Sequence, residues 1–280
     1  MVDSVVPSIR HQYMSCPSAR WRYCSLVVCL FWAVCLSGCA TIYNPATGRQ
    51  EFIFIDTAVE RRLGQQAATE VDRQLPLSRD PQRAQRIEQI GRKLAAVSDR
   101  QDLRFQFYLV EGSEVNAFAL PGGFIYLYAG LLDHVRSDDE LANVLGHEIG
   151  HVAARHHVKQ MQSVLGYQVL SSLVFRDTKS PELQRGVAMM FDLISKGYSR
   201  EDELEADRLG MRYAQRAGYQ PLGMVSFLEL LQQLQQSEPS SVLTIFQTHP
   251  AVSERIIRAR QEIEHLGLGE GEIALPAVSQ

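Results

Sequence analysis

The sequence predicts an α+β protein with a mainly helical body and a small antiparallel sheet whose edge borders a cleft. Apolar residues recur at helical spacing through most of the chain, one central stretch alternates with a period of two, and a Pro-Gly-Gly sequence separates two β-prone runs. The 280 residues are 45 % hydrophobic, which is enough to bury one sizeable core. A net charge of −4 without a long basic run indicates that nucleic acid is not a partner.

The first 38 residues have the composition of a secretory signal peptide. Basic residues precede the apolar run YCSLVVCLFWAVCL, which is too short for a comfortable transmembrane helix. The long basic region leaves Met1 and Met14 as alternative starts. All five cysteines lie at or before Cys39, so the rest of the chain has no disulfide framework.

The sequence Leu36-Ser37-Gly38-Cys39 resembles a bacterial lipobox, in which the cysteine is acylated and becomes the new N-terminus. A small-residue cleavage site beside an incidental cysteine, or an uncleaved anchor, are the alternatives. If Cys39 is acylated, Ala40 favours sorting to the outer membrane. We therefore expect a signal peptide (1–38), a lipidated tether (39–55), a folded domain (56–268) and a loose C-terminal tail (269–280).

The first half of the folded domain contains two predicted helices after the tether. Residues 41–55 carry turn signals and are predicted to be extended. Asp56 and Asp80 each precede apolar residues at helical spacing and are predicted N-caps, the second followed by Pro81 in the first helical turn. Pro76 ends the first helix.

A strand and a hairpin follow these helices. Phe105, Phe107 and Leu109 alternate with polar or smaller residues, which is typical of a half-buried strand. The stretch 116–132 contains Pro121-Gly122-Gly123 between two β-prone runs and is predicted to form a hairpin.

The second half of the domain is predicted to be helical. Ser137, with Glu140 three residues later, indicates a capping box at the start of one helix, and Ser199 begins another. Further helices are expected over 227–234 and 252–263. The apolar segments 164–175 and 187–194 are each too short to cross a bilayer, which leaves buried core, a lid or membrane contact open.

The helix after Ser137 carries the sequence GHEIGHVAARHH. His147 and His151 are four residues apart, so their side chains lie on one helix face and can converge on a single ion. In such a pattern the two imidazoles bind Zn²⁺ and the adjacent glutamate, Glu148, takes a proton from the metal-bound water. The alternative is a polar surface helix. We expect one zinc ion per chain.

A zinc site that performs chemistry requires a third protein ligand and one open position. In the stretch SREDELEADRLG, Glu203 can reach the metal while Asp207 holds the imidazole N–H of a ligand histidine. Glu201 and Glu205 compete for the ligand role, and spacing alone does not exclude them. Without the histidine pair the same segment would be interpreted as an exposed acidic face.

Together these motifs resemble the gluzincin peptidases of the HtpX and CAAX-prenyl-endopeptidase type. The resemblance rests on HEIGH, on Glu203-x-x-x-Asp207, on NAFALPGG and on NPATG, and it extends from about Asn44 to Arg258. It implies zinc ligands His147, His151 and Glu203, with Glu148 as the general base. It also implies an edge strand along which a peptide substrate lies, formed by Asn116, Ala117, Phe118 and Ala119.

His249, in the sequence THPAVSER, matches a further pattern of this family. Three roles are open for it: a hydrogen bond to the oxyanion, occupation of the fourth zinc position in a latent enzyme, or entry to the last helix. His156 and His157 are predicted to end the HEIGH helix, with His156 off the ligand face.

The resemblance implies a zinc endopeptidase that is anchored by lipid on the periplasmic face of the outer membrane. Membrane members of the family cross the bilayer near 164–194, and the short segments here favour a periplasmic enzyme. Its expected substrates are extended or misfolded envelope polypeptides, in protein quality control. The alternative is a chaperone or assembly factor for outer-membrane proteins that uses the same groove, and a structural zinc site is a further possibility.

Overall fold

A computed structural model of the protein describes residues 41–164, 181–237, 239 and 243–266. The strands are β1 (Thr41–Asn44), β2 (Arg49–Phe52), β3 (Gln106–Val110), β4 (Ala117–Leu120) and β5 (Phe124–Tyr128). The helices are α1 (Thr57–Gln74), α2 (Pro81–Val97), α3 (Ala129–His134), α4 (Asp138–Ala153), α5 (156–164), α6 (Pro181–Lys196), α7 (Arg200–Arg216), α8 (Leu222–Ser237), α9 (Leu243–Thr248) and α10 (Val252–His265). The α+β class is confirmed. The predicted signal peptide, Cys39 and the C-terminal tail lie outside the described residues.

Side-chain caps begin the helices where the sequence predicted them. The Asp56 carboxylate accepts a hydrogen bond from a backbone N–H of α1, and Asp80 does the same for α2. Ser137 likewise caps α4, accepting from the Glu140 N–H at 3.1 Å. The Glu140 carboxylate, however, accepts from the N–H of Arg136 at 2.7 Å, so the second half of the predicted capping box is not made to Ser137.

The larger sheet has three strands in the order β3-β5-β4. The predicted hairpin is confirmed, because β4 and β5 are antiparallel and Gly122 and Gly123 have positive φ values in the turn between them. The prediction of an antiparallel sheet is wrong in one respect, since β3 pairs with β5 in parallel. The hairpin occupies one edge of β5, so β3 must join the opposite edge.

The segment predicted as a tether is partly folded onto the body. β1 and β2 form a two-stranded sheet, and the Asn44 side chain donates a hydrogen bond to the Ala153 carbonyl oxygen at 3.3 Å. Ile53 and Ile55 are buried in the same apolar cluster as the inner face of α1. The tether prediction is therefore wrong for residues 44–55, because burial of these apolar side chains draws the segment onto the body.

The HEIGH helix is shorter than predicted. α4 ends at Ala153, Arg155 adopts a left-handed conformation with φ 56°, and α5 begins at residue 156. His156 and His157 therefore belong to the next helix. The backbone reversal at Arg155 returns their side chains toward the end of α4.

The apolar segment 187–194 lies within α6. Val187, Met190 and Leu193 are buried in the cluster that α1 also lines, which agrees with the core interpretation for these residues. The first apolar segment falls mostly outside the described residues. Among the described helices, none has the length and hydropathy needed to cross a membrane.

Helices α4 and α7 approach each other with their backbones. A Cβ atom on Gly146 would lie 2.8 Å from the Gly210 carbonyl oxygen, and one on Gly150 would lie 2.9 Å from the Ala206 carbonyl oxygen. Only glycine permits this separation. The close approach brings the histidine-bearing face of α4 against the acidic face of α7.

Candidate metal centre

Four buried side chains offer ligand atoms that all lie within 4.8 Å of one another: His147, His151, Glu203 and His249. They come from α4, from α7 and from the loop between α9 and α10. Imidazole nitrogens with one carboxylate are a donor set that suits zinc. The residues present therefore fit a zinc ion.

The two α4 histidines direct the same ring atom into this group. The Nδ1 atom of His147 lies 2.8 Å from Asp207 Oδ1, and the Nδ1 atom of His151 lies 2.9 Å from His156 Nδ1. The two Nε2 atoms are left facing each other at 3.0 Å. An outer partner on one ring nitrogen orients the other nitrogen for metal binding.

Glu203 is the acidic residue of α7 that reaches these histidines. Its Oε1 atom lies 3.3 Å from His151 Nε2, and its Oε2 atom lies 3.6 Å from His147 Nε2. Glu201 is exposed, while Glu205 makes a 2.6 Å ion pair with Arg49. The structure thus favours Glu203 over the two competitors that spacing left open.

Arg255 of α10 completes the acidic side of the centre. Its Nη1 atom lies 2.7 Å from Glu203 Oε2, and Nε and Nη2 each donate to Asp207 at 2.7 Å. The side chain is buried, so its charge acts on both carboxylates with little solvent screening. The sequence interpretation missed this arginine, although it ends the THPAVSER motif that was noted for His249.

The charges of this cluster keep the acidic groups ionised. Burial would by itself raise the pKa of Glu203, but His249 and Arg255 hold that pKa well below its usual range. Burial acts in the same way on Asp207, and Arg255 again lowers its pKa. The pKa of the His151 imidazole is lowered well below its usual value, mainly by burial and then by His147. A neutral imidazole and ionised carboxylates are the forms that bind metal.

Glu148 lies beside this group without belonging to it. Its Oε1 atom is 3.7 Å from His249 Nε2, while its buried Oε2 atom has no hydrogen-bond partner among the described residues. Burial raises the pKa of Glu148, and the charges of His249 and His147 offset only part of that effect. A desolvated carboxylate with a free oxygen is well placed to accept a proton.

His249 is the member of the centre that comes from the loop between α9 and α10. Its Nδ1 atom lies 3.1 Å from Glu203 Oε1 and 3.3 Å from His147 Nε2. The helix-entry role is not supported, because Ala251 is the N-cap of α10 and no side chain caps this helix end. Burial alone would lower the pKa of His249, but Glu203 raises it above its usual value.

Tyr198 and His157 were also missed from the sequence. The Tyr198 ring stacks on the His151 ring with centroids 3.8 Å apart, and its hydroxyl contacts His157 Nε2. Tyr198 directly precedes the Ser199 cap of α7, so that predicted helix start was the available signal. Stacking and hydrogen bonding restrict the rotation of the His151 ring.

The predicted substrate strand borders the centre at one point. Ala117 lines a cavity together with His147, Glu148 and His249. The Asn116 carbonyl accepts from the Tyr128 N–H at 3.0 Å, so in the antiparallel β4–β5 ladder Ala117 and Ala119 turn their backbone groups away from β5. Phe118 instead stacks on Tyr126 of β5 at a centroid distance of 5.0 Å.

Comparison with known proteins agrees with this geometry. The model of peptidase family M48 matches residues 81–263. The chain is 29 % identical over 236 residues to the beta-barrel assembly-enhancing protease of Escherichia coli, covering 79 % of this chain and 47 % of that protein. It is 28 % identical over 254 residues to the metalloprotease LoiP of the same organism, covering 87 % of this chain and 98 % of LoiP.

A third relative is the mitochondrial metalloendopeptidase OMA1 of Schizosaccharomyces pombe, which is 29 % identical over 222 residues and covers 76 % of this chain and 64 % of that protein. The chain spans about half the length of the beta-barrel assembly-enhancing proteases that it matches. The family match extends over more than half of the chain and contains all four residues of the candidate metal centre. The chain belongs to peptidase family M48.

Proposed function

We propose that this protein is a zinc-dependent endopeptidase that cleaves extended or misfolded polypeptides. The observation that supports this most directly is Glu148, whose unpartnered buried oxygen lies beside the group of His147, His151, Glu203 and His249. A purely structural zinc site would have no need for such a carboxylate. Membership of the peptidase family supports the same reaction class.

His147, His151 and Glu203 are the proposed zinc ligands. Zinc, when bound, supplies a Lewis acid that lowers the pKa of water to about 7 and polarises the scissile carbonyl. Asp207 orients the His147 ring and Arg255 holds Asp207 in turn. Glu148 accepts the proton of the attacking water at its free oxygen and passes it to the leaving amine.

The proposed substrate path runs along β4. Ala117 and Ala119 turn their backbone groups to the free edge of the strand, where the Ala117 N–H donates to the Asn116 side-chain oxygen at 3.0 Å and the Ala119 backbone hydrogen-bonds to His157. An extended peptide that adds as a further strand would replace these contacts. Folded domains seldom offer a free strand of this kind. The geometry therefore favours unfolded segments as substrates. Ala117 and Ala119 would pair with the peptide, while Asn116 and Phe118 pair with β5.

His249 is proposed to be the fourth donor of a latent centre. Its Nδ1 atom lies within 3.3 Å of both Glu203 and His147, so with zinc bound it would compete with water or with a substrate carbonyl as a further donor. Substrate binding would displace it.

Cys39 is proposed to carry a lipid that anchors the enzyme to the outer membrane on its periplasmic side. This rests on the lipobox-like sequence ending at Cys39 and on Ala40 after it. The similarity to a beta-barrel assembly-enhancing protease supports a role in envelope protein quality control. The same similarity is the reason to retain a second candidate, a chaperone or assembly factor that uses the β4 groove with weak cleavage.

The test is zinc content and cleavage of unfolded casein by the chain from Ala40 onward, compared with Glu148→Gln and Glu203→Ala. We expect one zinc ion per wild-type chain, loss of cleavage by a factor of about 10²–10⁴ in Glu148→Gln with zinc retained, and loss of zinc in Glu203→Ala. Glu201→Ala is the matched control and should keep both properties. A protein without zinc would overturn the proposal.

The two candidate functions can be distinguished by expressing a variant in cells that lack the wild-type protein. If the protein acts as a protease, Glu148→Gln should not restore its function in these cells. If it acts as a chaperone, Glu148→Gln should restore that function. Zinc binding without cleavage of any unfolded polypeptide, together with full function of Glu148→Gln, would favour the chaperone.

A further inference from the structure

A buried ion pair lies between the turn that follows β4 and the end of the metal-binding helix α4. Arg100, in the loop after α2, donates to Glu60 of α1 through two nitrogens, at 2.9 Å from Nη2 and 3.2 Å from Nη1. The two side chains are 4 % and 1 % exposed. None of the proposed catalytic steps uses them.

On one side the pair reaches the end of the metal-binding helix. Arg100 Nη1 donates to the Val152 carbonyl oxygen at 3.2 Å. Val152 directly follows the proposed ligand His151, and its carbonyl, in the last turn of α4, also accepts from the Arg155 N–H at 3.1 Å, so Arg100 is a second donor to it. The guanidinium thus fixes the backbone immediately after a metal ligand.

On the other side the pair reaches the turn that follows the substrate strand. Glu60 Oε1 accepts a hydrogen bond from the Gly122 N–H, with 3.4 Å between the two atoms. Close packing supports the same contact, because a Cβ atom on Gly64 would lie only 1.8 Å from the Pro121 carbonyl oxygen. The N-terminal half of α1 is therefore held tightly against the β4–β5 turn.

Neighbouring groups hold the pair in one geometry. Asp102 accepts from Arg100 Nε at 2.9 Å and from the Thr57 hydroxyl at 2.8 Å. Arg155, at the strained reversal after α4, lies 3.4 Å from Glu60 Oε2. Apolar residues of similar size often stabilise a fold as well as a buried ion pair does. This pair, unlike apolar residues, fixes two backbone positions: Arg100 hydrogen-bonds to the Val152 carbonyl oxygen, and Glu60 accepts from the Gly122 N–H.

We propose that Arg100 and Glu60 are positioning residues that hold the substrate strand β4 at a fixed distance from the metal-binding helix α4. This inference rests on the proposed peptidase function, because the strand and the metal must be in register for a bound peptide to meet the centre. The pair acts through Val152 and Gly122 and touches neither metal nor substrate.

Arg100→Lys is the main test, because lysine keeps the charge and loses the planar fork that reaches Glu60 and Val152 together. Asp102→Asn is the second variant: this carboxylate is about half exposed, so its replacement leaves the pair buried and removes only its outer support. Arg86→Lys is the matched control, because Arg86 makes an exposed ion pair with Asp138 at the opposite end of α4.

The measurements are the rate of zinc release to a chelator and the kcat and KM for unfolded casein, at a temperature where circular dichroism shows each protein fully folded. Arg100→Lys should release zinc about tenfold faster and lose about tenfold in kcat, and Asp102→Asn should show a smaller change in the same direction. Arg86→Lys should match the wild type.

If Arg100→Lys folds and its zinc release and kcat equal those of the wild type, the inference is overturned. The same holds if the variant only loses thermal stability while its zinc release and kcat stay unchanged. If Arg100→Lys does not fold, unchanged zinc release and kcat in Asp102→Asn would do the same. If the wild type cleaves no polypeptide, the proposed function fails. Zinc release still tests the positioning role in that case.

Discussion

Arg255 and Asp207 form a two-pronged ion pair in which the arginine Nε and Nη2 atoms each lie 2.7 Å from a different carboxylate oxygen. The same carboxylate holds His147 Nδ1 at 2.8 Å. A residue near the end of the described chain thereby determines the orientation of a ring on α4. The catalytic helix pair α4 and α7 therefore depends on α10.

Replacement of Arg255 by lysine should weaken zinc binding by a factor of about 10–100, because a lysine ammonium cannot make both hydrogen bonds to Asp207 and still neutralise Glu203. Equilibrium dialysis against a zinc buffer measures the change. The control is Arg258→Lys on the same helix. Wild-type zinc affinity in Arg255→Lys would show that Asp207 orients His147 unaided.

Replacement of His249 by alanine should raise the cleavage rate on unfolded casein severalfold if His249 occupies the fourth zinc position in a latent state. Initial rates at saturating zinc measure this effect. A fall in kcat by a factor of about 10²–10³ would instead assign His249 to the oxyanion. Zinc content should be measured in parallel, because loss of the metal would also reduce the rate.

Replacement of Gly210 by alanine should lower the free energy of unfolding by about 1–3 kcal/mol, because an added methyl group is forced into a tightly packed contact. Its Cβ atom would lie 2.7 Å from the His147 backbone nitrogen. Urea denaturation measures the change, with the exposed Gln233→Ala as control. Equal stability of Gly210→Ala and the wild type would mean that α4 and α7 can separate at no cost.

The buried His157 should make the fold acid-sensitive. Burial lowers the pKa of His157 to about 3, against 6.5 for the free side chain. Between these values the unfolded chain binds a proton that the folded chain does not, so stability should fall as pH drops from about 6.5 towards 3, by up to about 1.4 kcal/mol per pH unit.

Urea unfolding of the zinc-free protein at pH 7.5, 6.5 and 5.5 measures this slope. His157→Gln removes the titrating group, so the stability of that variant should fall less steeply over the same range. Parallel pH profiles for wild type and variant would assign the acid sensitivity to other groups such as His151, whose pKa is also lowered by burial.

Local signals in the sequence correctly predicted many of the elements. Asp56, Asp80, Ser137 and Ser199 all cap helices, because capping depends on a few neighbouring residues. The Pro-Gly-Gly turn likewise forms between β4 and β5. Two local expectations were wrong, the end of the HEIGH helix and the second half of the capping box at Ser137. The other incorrect expectations concern longer-range features: the parallel pairing of β3 and the packing of residues 44–55 depend on contacts that no short window contains.

The metal centre shows the same difference between what local sequence signals predict and what long-range contacts decide. The helical spacing of His147 and His151 was enough to place them on one face, and the motif with Glu148 predicted the chemistry. Helical spacing alone could not choose between Glu203 and its acidic neighbours, since all lie on one helix with similar local surroundings, and only the family resemblance implied Glu203. The packing of Gly210 against α4 sets the rotation of α7 that turns Glu203 inward.

The sequence by itself determined the motif, the donor types and the class of fold, because these follow from local spacing and side-chain chemistry. Only the tertiary structure brought Arg255, Tyr198 and His157 to the centre and joined Glu60 to Arg100 across 40 positions of the chain. These contacts arise from the way helices pack. That packing depends on the complementarity of whole surfaces, which no single sequence motif encodes.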